Sequence, residues 1–184
     1  MILVDEPIWP WRGRKWAHLV SDESYDELHH FAHRIGKRRV GFQGDHYDVH
    51  EDERAAALAL GAQRVPARDL VKRLRASGLR RRGGLEGWHV HLDGTVRDLP
   101  GGMLDVFGQR ELAEPLTRGA ELLQATPERS LVLLERDAEV AVMIEAPHAV
   151  DHEARLREFA HEVWIHGAEN GAMVELLRSR SGGG

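Results

Sequence analysis

The chain has 184 residues, of which 42% are hydrophobic and 30% charged, a balance typical of a folded globular protein and not of a disordered one. It contains no cysteine, which excludes disulfides, thiolate zinc sites and thiol nucleophiles and leaves 12 histidines and the carboxylates as potential metal ligands. No apolar run is long enough to span a membrane, and the start of the sequence lacks the features of a signal peptide, so we expect a cytoplasmic protein.

The net charge of -5 conceals two halves of opposite sign. Residues 1–84 carry 16 Lys and Arg against 12 Asp and Glu, a net charge of +4, whereas residues 85–184 carry 9 against 18, a net charge of -9. This split, at a basic and glycine-containing stretch, predicts two domains, 1–84 and 85–184. It is typical either of a basic binding face on the first half or of two lobes that attract each other.

The first predicted element is a strand at residues 2–4, which delivers Asp5 to a loop at its carboxyl end, where ligands of α/β sheets collect. The loop predicted at residues 7–15 interleaves aromatic and cationic side chains: Trp9, Trp11, Arg12 and Arg14. Such a loop suits stacking on a base or binding of a phosphate. The alternative is that the tryptophans near prolines are local packing anchors.

Residues 21–36 predict a helix that begins after a capping box of Ser24 and Glu27 and ends at Gly36. His29 lies at the edge of its apolar stripe. We therefore treat His29 as a candidate metal ligand.

The segment 40–50 concentrates more acid, base and metal-ligand chemistry than any other. If it is a strand ending in a turn, alternation puts Asp45 and Tyr47 on one face and His46 and Asp48 on the other. An imidazole beside a carboxylate can bind a metal, relay a proton or form a buried hydrogen-bonded pair, and the spacing leaves these open.

Helices are predicted at 51–60 and 68–77, with a short strand at 64–66 between them. The alternation of strands and helices predicts an α/β first lobe with a short, mostly parallel sheet. The basic run from Lys72 to Arg82 is either a solvated helix face and linker or a contact with nucleic acid.

The second half predicts an α+β lobe with a hairpin and an amphipathic helix. The hairpin is centred on Asp93-Gly94 within residues 88–99, and its first strand carries His89 and His91 on one face. The further predicted elements are a helix with a break near Pro115, two strands and a long amphipathic helix, at 109–123, 131–134, 140–144 and 151–166. Residues 182–184 are interpreted as a frayed tail.

Several motifs of the first half occur in a characteristic order: Val4-Asp5, the tryptophan- and arginine-rich loop, His18-Leu19 with Ser21-Asp22, Glu27-Leu28-His29, Phe31-Ala32, Ile35-Gly36 and His46-Tyr47-Asp48-Val49. Together they resemble the bacterial family catalogued as domain of unknown function 4031. The resemblance covers about residues 2–82. It implies no established activity, although some similar domains occur in chains that also carry a phosphohydrolase-type module, which points to nucleotides.

The first functional hypothesis is metal-dependent hydrolysis of a phosphate-bearing ligand. Its catalytic candidates are His46, Asp48 and His18; its metal-ligand candidates are Asp5, His18, His29, His46 and Asp48; and its ligand-binding candidates are Trp9, Trp11, Arg12, Arg14 and Tyr47. Manganese, iron or zinc suits mixed nitrogen and oxygen ligands. A metal-free variant would use His46 as general base, oriented by Asp48. The structural alternative is that these groups form a buried polar network.

The second hypothesis is a nucleotide or nucleic-acid binding module without catalysis. It would use the tryptophan- and arginine-rich loop together with the basic segment that ends at Arg82. Phosphate-bearing small molecules or nucleic acid are thus the expected partners, a membrane is not, and a homo-oligomer stays open.

Overall fold

The computed structural model describes residues 1–11, 13–81, 87–136, 139–147, 149–167 and 171–180. The chain divides into two compact units, Met1–Leu85 and Glu86–Gly184. Each unit contains a five-stranded sheet. Within these ranges, no helix has both the length and the apolar character needed to cross a bilayer.

The sheet of the first unit is built around one long strand. Its strands are β1 (Ile2–Val4), β2 (Trp9–Trp11), β3 (Arg14–Ser21), β4 (Tyr47–His50) and β5 (Gln63–Arg64). Leu19 of β3 pairs with Val4 of β1 and also with Tyr47 of β4, so β1 and β4 lie along opposite edges of β3. β2 pairs with β3 on the β1 side, and β5 pairs with β1.

The prediction of a mostly parallel sheet is wrong. Of the pairings in this sheet among the described residues, only that of β1 with β5 is parallel, so the unit is a mixed α/β structure. The difference arises in the stretch interpreted as a loop, residues 7–15. It forms most of an antiparallel hairpin of β2 and β3, which turns at Gly13 with a φ of +73° that favours glycine.

Three helices cover the two faces of this sheet: α1 (Tyr25–Arg34), α2 (Glu51–Ala59) and α3 (Ala67–Ala76). Leu28 of α1 and Ala57 of α2 share a buried cluster with Leu19. Leu70 of α3 shares another with Val20. Because successive strand residues point to opposite faces, α3 lies on the face opposite to α1 and α2.

The predicted start of α1 is confirmed. The Ser24 side chain accepts a hydrogen bond from the Glu27 backbone N–H at 3.1 Å, which satisfies one of the free donors of the first helical turn. Gly36 follows the last turn with a φ of +79°. The local sequence signals at both ends of this helix therefore agree with the structure.

The second unit is an antiparallel sheet with helices. Its strands are β6 (His89–Thr95), β7 (Ser130–Arg136), β8 (Glu139–Ala146), β9 (Glu162–His166) and β10 (Ala172–Ser179), in the order β6-β7-β8-β10-β9. Its helices are α4 (Met103–Phe107), α5 (Arg110–Leu122) and α6 (Glu153–Leu156). Leu112 and Leu116 of α5 pack in one buried cluster with Val142 of β8 and Leu176 of β10.

The predicted hairpin in this unit is wrong. Asp93 and Gly94 lie inside β6, where they pair with Val132 and Leu131 of β7. The long partner strand β7 therefore overrides the local turn preference of the Asp-Gly pair.

The predicted helix at 151–166 is also wrong, because α6 ends at Leu156 and β9 covers Glu162–His166. Of the apolar residues predicted to share one face of this helix, Leu156, Ala160 and Val163 belong to the core of the second unit, whereas Phe159 and Trp164 are only partly buried. The pattern identified the buried residues but not their backbone conformation.

Three further outcomes concern single elements of the second unit. The strands predicted at 131–134 and 140–144 are confirmed as parts of β7 and β8. α5 runs without interruption through Pro115, so the predicted break is wrong. The helix is held against the sheet by Leu112 and Leu116, which are buried on either side of Pro115 in the sequence. The tail at 182–184 lies outside the described residues.

Candidate functional site

His18 stands between two carboxylates because of the strand register. Asp5 directly follows β1, and its backbone N–H donates to the His18 carbonyl at 3.2 Å while the His18 N–H donates to Asp5 Oδ1 at 2.6 Å. On the other edge of β3, His18 is the direct pairing partner of Asp48 in β4. Side chains of directly paired residues lie side by side on one face, so the sheet brings Asp5 and Asp48 to His18.

His46 joins this group from just before β4. It lies two residues before Asp48, which makes it a diagonal neighbour of His18. The two imidazole rings are 5.2 Å apart between centroids, and His46 Nε2 lies 3.5 Å from Asp48 Oδ1. One ligand atom each from His18, His46 and Asp48 lies within 4.8 Å of the others, the one such group of three or more that the described part of the chain contains.

Each of the two imidazoles is oriented by a carboxylate at its Nδ1. Asp5 Oδ2 lies 2.8 Å from His18 Nδ1, and Asp45 Oδ1 lies 2.7 Å from His46 Nδ1. Asp5 and Asp45 are both buried. Each ring therefore has its Nδ1 engaged by a buried carboxylate, which leaves Nε2 for a further partner, as in carboxylate–histidine–metal sites.

Asp45 is itself held by the segment that follows α3. Its Oδ2 accepts hydrogen bonds from the Arg80 guanidinium at 2.7 Å and from the Arg81 backbone N–H at 3.0 Å. A buried carboxylate needs such partners to stay ionised. The residues after α3 thus support His46 through Asp45.

The electrostatics of the cluster favour a positive charge at its centre. Burial lowers the pKa of His46, but hydrogen bonds with Asp45 and Asp48 outweigh it and raise that pKa to about 9. The hydrogen bond from His46 lowers the pKa of Asp48. Burial raises the pKa of Asp45, but the hydrogen bonds from His46 and the Arg81 N–H bring it below its ordinary value. Without a metal ion, a proton on His46 supplies the charge that the carboxylates need.

Two cavities adjoin the cluster, and both have Trp9 and His18 in their walls. The narrower, of about 200 Å³, is lined by Asp5, Trp9, His18, Val20, His46, Ala67, Leu70, Val71, Leu74 and Arg80. The wider, of about 510 Å³, is lined by Trp9, Trp16, His18, Lys37, Gly41, Gln43 and Asp48. Each member of the triad His18, His46 and Asp48 therefore faces at least one cavity.

The candidate residues of the sequence fall into two groups. The structure brings His18, His46 and Asp48 together, with Asp5 as the hydrogen-bond partner of His18. His29 lies elsewhere: it is buried with its Nδ1 2.9 Å from the Tyr47 hydroxyl.

The ligand-binding candidates are also divided. Tyr47 is only 1% exposed and belongs to the core, on the side of the sheet that packs against α1 and α2. Trp9 is 54% exposed and lines both cavities. Arg14 is exposed on β3 and is not among the residues that line either cavity. The Trp11 side chain and Arg12 lie outside the described residues.

Sequence reasoning did not single out Asp45 as a member of the site. Strand alternation, applied from residue 45 onward, assigned it to the face opposite His46. β4 begins only at Tyr47, and Asp45 follows Gly44, whose φ is +99°, so alternation does not apply to it. The available signal was the direct Asp-His adjacency.

The comparisons with known proteins support one part of the sequence analysis. Residues 2–77 match the model of a family described as "Protein of unknown function (DUF4031)", which confirms the resemblance over the first part of the chain. Neither a curated protein nor a solved structure matches the chain.

Proposed function

We propose, from the premise that residues 2–77 form a DUF4031 domain, that this domain binds a divalent transition-metal ion through His18, His46 and Asp48 and hydrolyses a phosphate-bearing ligand. One observation carries the proposal. Two imidazoles, each oriented by a buried carboxylate, meet a third carboxylate at the wall of solvent-accessible cavities.

The donor set selects the class of ion. Two imidazole nitrogens and one carboxylate suit manganese, iron or zinc better than magnesium. Three protein ligands, in contrast to the four of a closed structural site, leave room for a water molecule or a ligand oxygen. A bound ion of this class lowers the pKa of a water molecule and polarises a phosphoryl oxygen.

The chain's own residues supply the positioning. Asp5 and Asp45 fix the ring orientation of His18 and His46. Lys37 lies in the wall of the wider cavity, and its ammonium is paired with the Glu53 carboxylate at 3.1 Å. The charge that favours an anionic ligand such as a phosphate would therefore come from the bound divalent ion. The reaction adds one water across the P–O ester bond and releases phosphate and the alcohol.

The test starts with protein purified without added metal. We expect about one equivalent of manganese, iron or zinc by elemental analysis, and metal-dependent hydrolysis of p-nitrophenyl phosphate or bis(p-nitrophenyl) phosphate. His46→Ala should remove both the metal and the activity. His30→Ala is the matched control, because His30 is exposed on α1 and is not a member of the triad. Protein that takes up none of these ions would contradict the proposal.

The alternative function, a nucleotide or nucleic-acid binding module without catalysis, is favoured by a different observation. Trp9 is half exposed and lines both cavities, which suits stacking on a base. This function requires affinity for a nucleotide or a single-stranded oligonucleotide that falls with salt, is lost in Arg81→Gln with Arg82→Gln, and does not depend on metal. Binding that needs the metal and survives these substitutions would favour the hydrolase.

A further inference from the structure

The narrower cavity has two unlike walls. One wall is polar and belongs to the site, with Asp5, His18, His46 and Arg80. The other is apolar and is supplied by Val20 of β3 and by Ala67, Leu70, Val71 and Leu74 of α3. A cavity of this kind accepts a molecule that is polar at one end and apolar at the other.

The apolar wall follows from the way α3 packs. His18 and Val20 are two residues apart on β3 and therefore share a face, which is the face that α3 covers. Leu70 and Leu74 point inward and are buried, while Val71 is only partly buried beside them. The inward-facing side of α3 therefore both packs in the core and lines the narrower cavity next to His18.

The volume of this cavity limits what it can hold. At about 200 Å³ it is slightly larger than an engineered apolar cavity of about 150 Å³ that binds benzene. A single six-membered ring or a short branched alkyl group fills this space, and a fused ring system extends beyond it towards solvent. Trp9 adds an aromatic side chain to its wall, with its ring 6.1 Å from the His18 ring.

We infer that the substrate is a small phosphate monoester of a compact apolar alcohol, with its single ring or branched alkyl group in the narrower cavity and its phosphate at His18, His46 and Asp48. This inference rests on the proposed function and deepens it by naming the substrate class. Water adds to phosphorus, the P–O ester bond breaks, and the alcohol leaves with the proton that balances its oxygen.

Phosphonates test this inference because their P–C bond is not hydrolysed. Methylphosphonate, phenylphosphonate and 1-naphthylphosphonate are titrated by calorimetry into the metal-loaded full-length protein. Burial of a phenyl group should make phenylphosphonate bind at least about ten-fold more tightly than methylphosphonate. Naphthylphosphonate should bind no more tightly than phenylphosphonate, since its second ring extends out of the cavity.

A substitution on α3 links the preference to this cavity. Val71→Phe fills the space beside His18, so the ratio of the affinities for phenylphosphonate and methylphosphonate should fall to about one. Ala76→Phe, at an exposed position of the same helix, is the matched control and should keep the wild-type preference.

The wild-type series decides the matter even if Val71→Phe fails to fold. Equal affinities for methyl- and phenylphosphonate, or a naphthyl compound that binds clearly more tightly than the phenyl one, would overturn the substrate class and leave the metal-dependent function standing. Protein that binds neither metal nor methylphosphonate would instead remove the proposed function, and the inference with it.

Discussion

The two units of this protein both contain histidine–carboxylate pairs, but they use them differently. In the first unit, the pairs Asp5–His18 and Asp45–His46 meet at Asp48. In the second unit, His166 Nε2 lies 3.1 Å from the buried Glu175, and His91 Nε2 lies 2.5 Å from Glu135. No group of three metal-ligand residues forms in the described part of that unit. A histidine–carboxylate pair alone is therefore not sufficient for a candidate metal-binding site.

Strand order explains the difference. In the first unit, both pairs lie next to β3, which has neighbours along both of its edges. In the second unit, His91 is on β6 and His166 on β9, the two outermost strands of a five-stranded sheet. Neighbouring strands lie about 4.8 Å apart, so pairs on opposite edges of such a sheet cannot share one ion.

The largest expected effect is the loss of metal binding when a histidine of the first unit is removed, compared with a histidine of the second unit. Removal of one imidazole, in His18→Ala or His46→Ala, should abolish stoichiometric metal binding, because the two remaining ligands are too few to hold the ion. His91→Ala and His166→Ala are the matched changes in the second unit and should leave the metal content unchanged. Elemental analysis after gel filtration measures all four variants, and metal loss in the second-unit variants alone would reverse the comparison.

A smaller effect is expected from the carboxylates behind the imidazoles. Asp45→Asn keeps the shape of the side chain but weakens the hold on His46 Nδ1, and loss of such a partner typically lowers metal affinity by about 10- to 100-fold. Competition with a fluorescent chelator measures the affinity. Asp52→Asn, on a side chain that is 93% exposed, provides the control. An unchanged affinity in Asp45→Asn would show that His46 is oriented by other contacts.

The charge on His46 predicts how the stability of the metal-free protein depends on pH. Folding raises the pKa of this imidazole from 6.5 to about 9, so the charged form is favoured in the folded state. The stabilisation is complete below pH 6.5 and is lost as the pH rises through about 9, an effect of about 3 kcal/mol. Urea unfolding with a chelator present should show this loss in the wild type and a smaller one in His46→Gln. Equal losses would assign the pH dependence to other groups.

The smallest expected effect separates the stability of the first unit from the integrity of its site. Ser24→Ala removes the side-chain cap of α1 and should lower the free energy of unfolding by about 1 kcal/mol. α1 contributes no residue to the triad, so metal affinity should not change. Thermal unfolding measures the change in stability, and chelator competition on the same sample measures the metal affinity.

The sequence predicted the centre of the site from local alternation. β4 buries Tyr47 and Val49 and leaves Asp48 and His50 partly exposed, as the pattern of the segment requires. The pairing of His18 with Asp48 was not predictable in the same way, because it depends on antiparallel register between strands about 30 residues apart. The convergence of these side chains was expected, but its cause was not.

The fate of His29 shows where periodicity stops being informative. Its position at the edge of the apolar stripe of α1 is compatible with either a site or the core. The structure places its ring 4.6 Å from the Phe42 ring and next to the Tyr47 hydroxyl, in the core. These partners come from a separate segment, so the sequence of the helix alone does not decide between the two.

The second unit shows the same limit at the level of secondary structure. The apolar pattern predicted the burial of Leu156, Ala160 and Val163 correctly, but a short helix followed by a strand, and not one long helix, places these side chains in the core. The strand β10 and the helix α4 were not predicted at all. Pairing with β8 and β9 accounts for β10 more than its own sequence does.

The direct pairing of His18 with Asp48 has a consequence for how the first unit responds to an empty site. The separation of these two side chains is set by the main-chain ladder between β3 and β4, which forms whether or not an ion is present. The spacing of these two proposed metal ligands is therefore preorganised before an ion binds. Withdrawal of the ion should leave the amide protons of β3 and β4 as slow to exchange with deuterium as before.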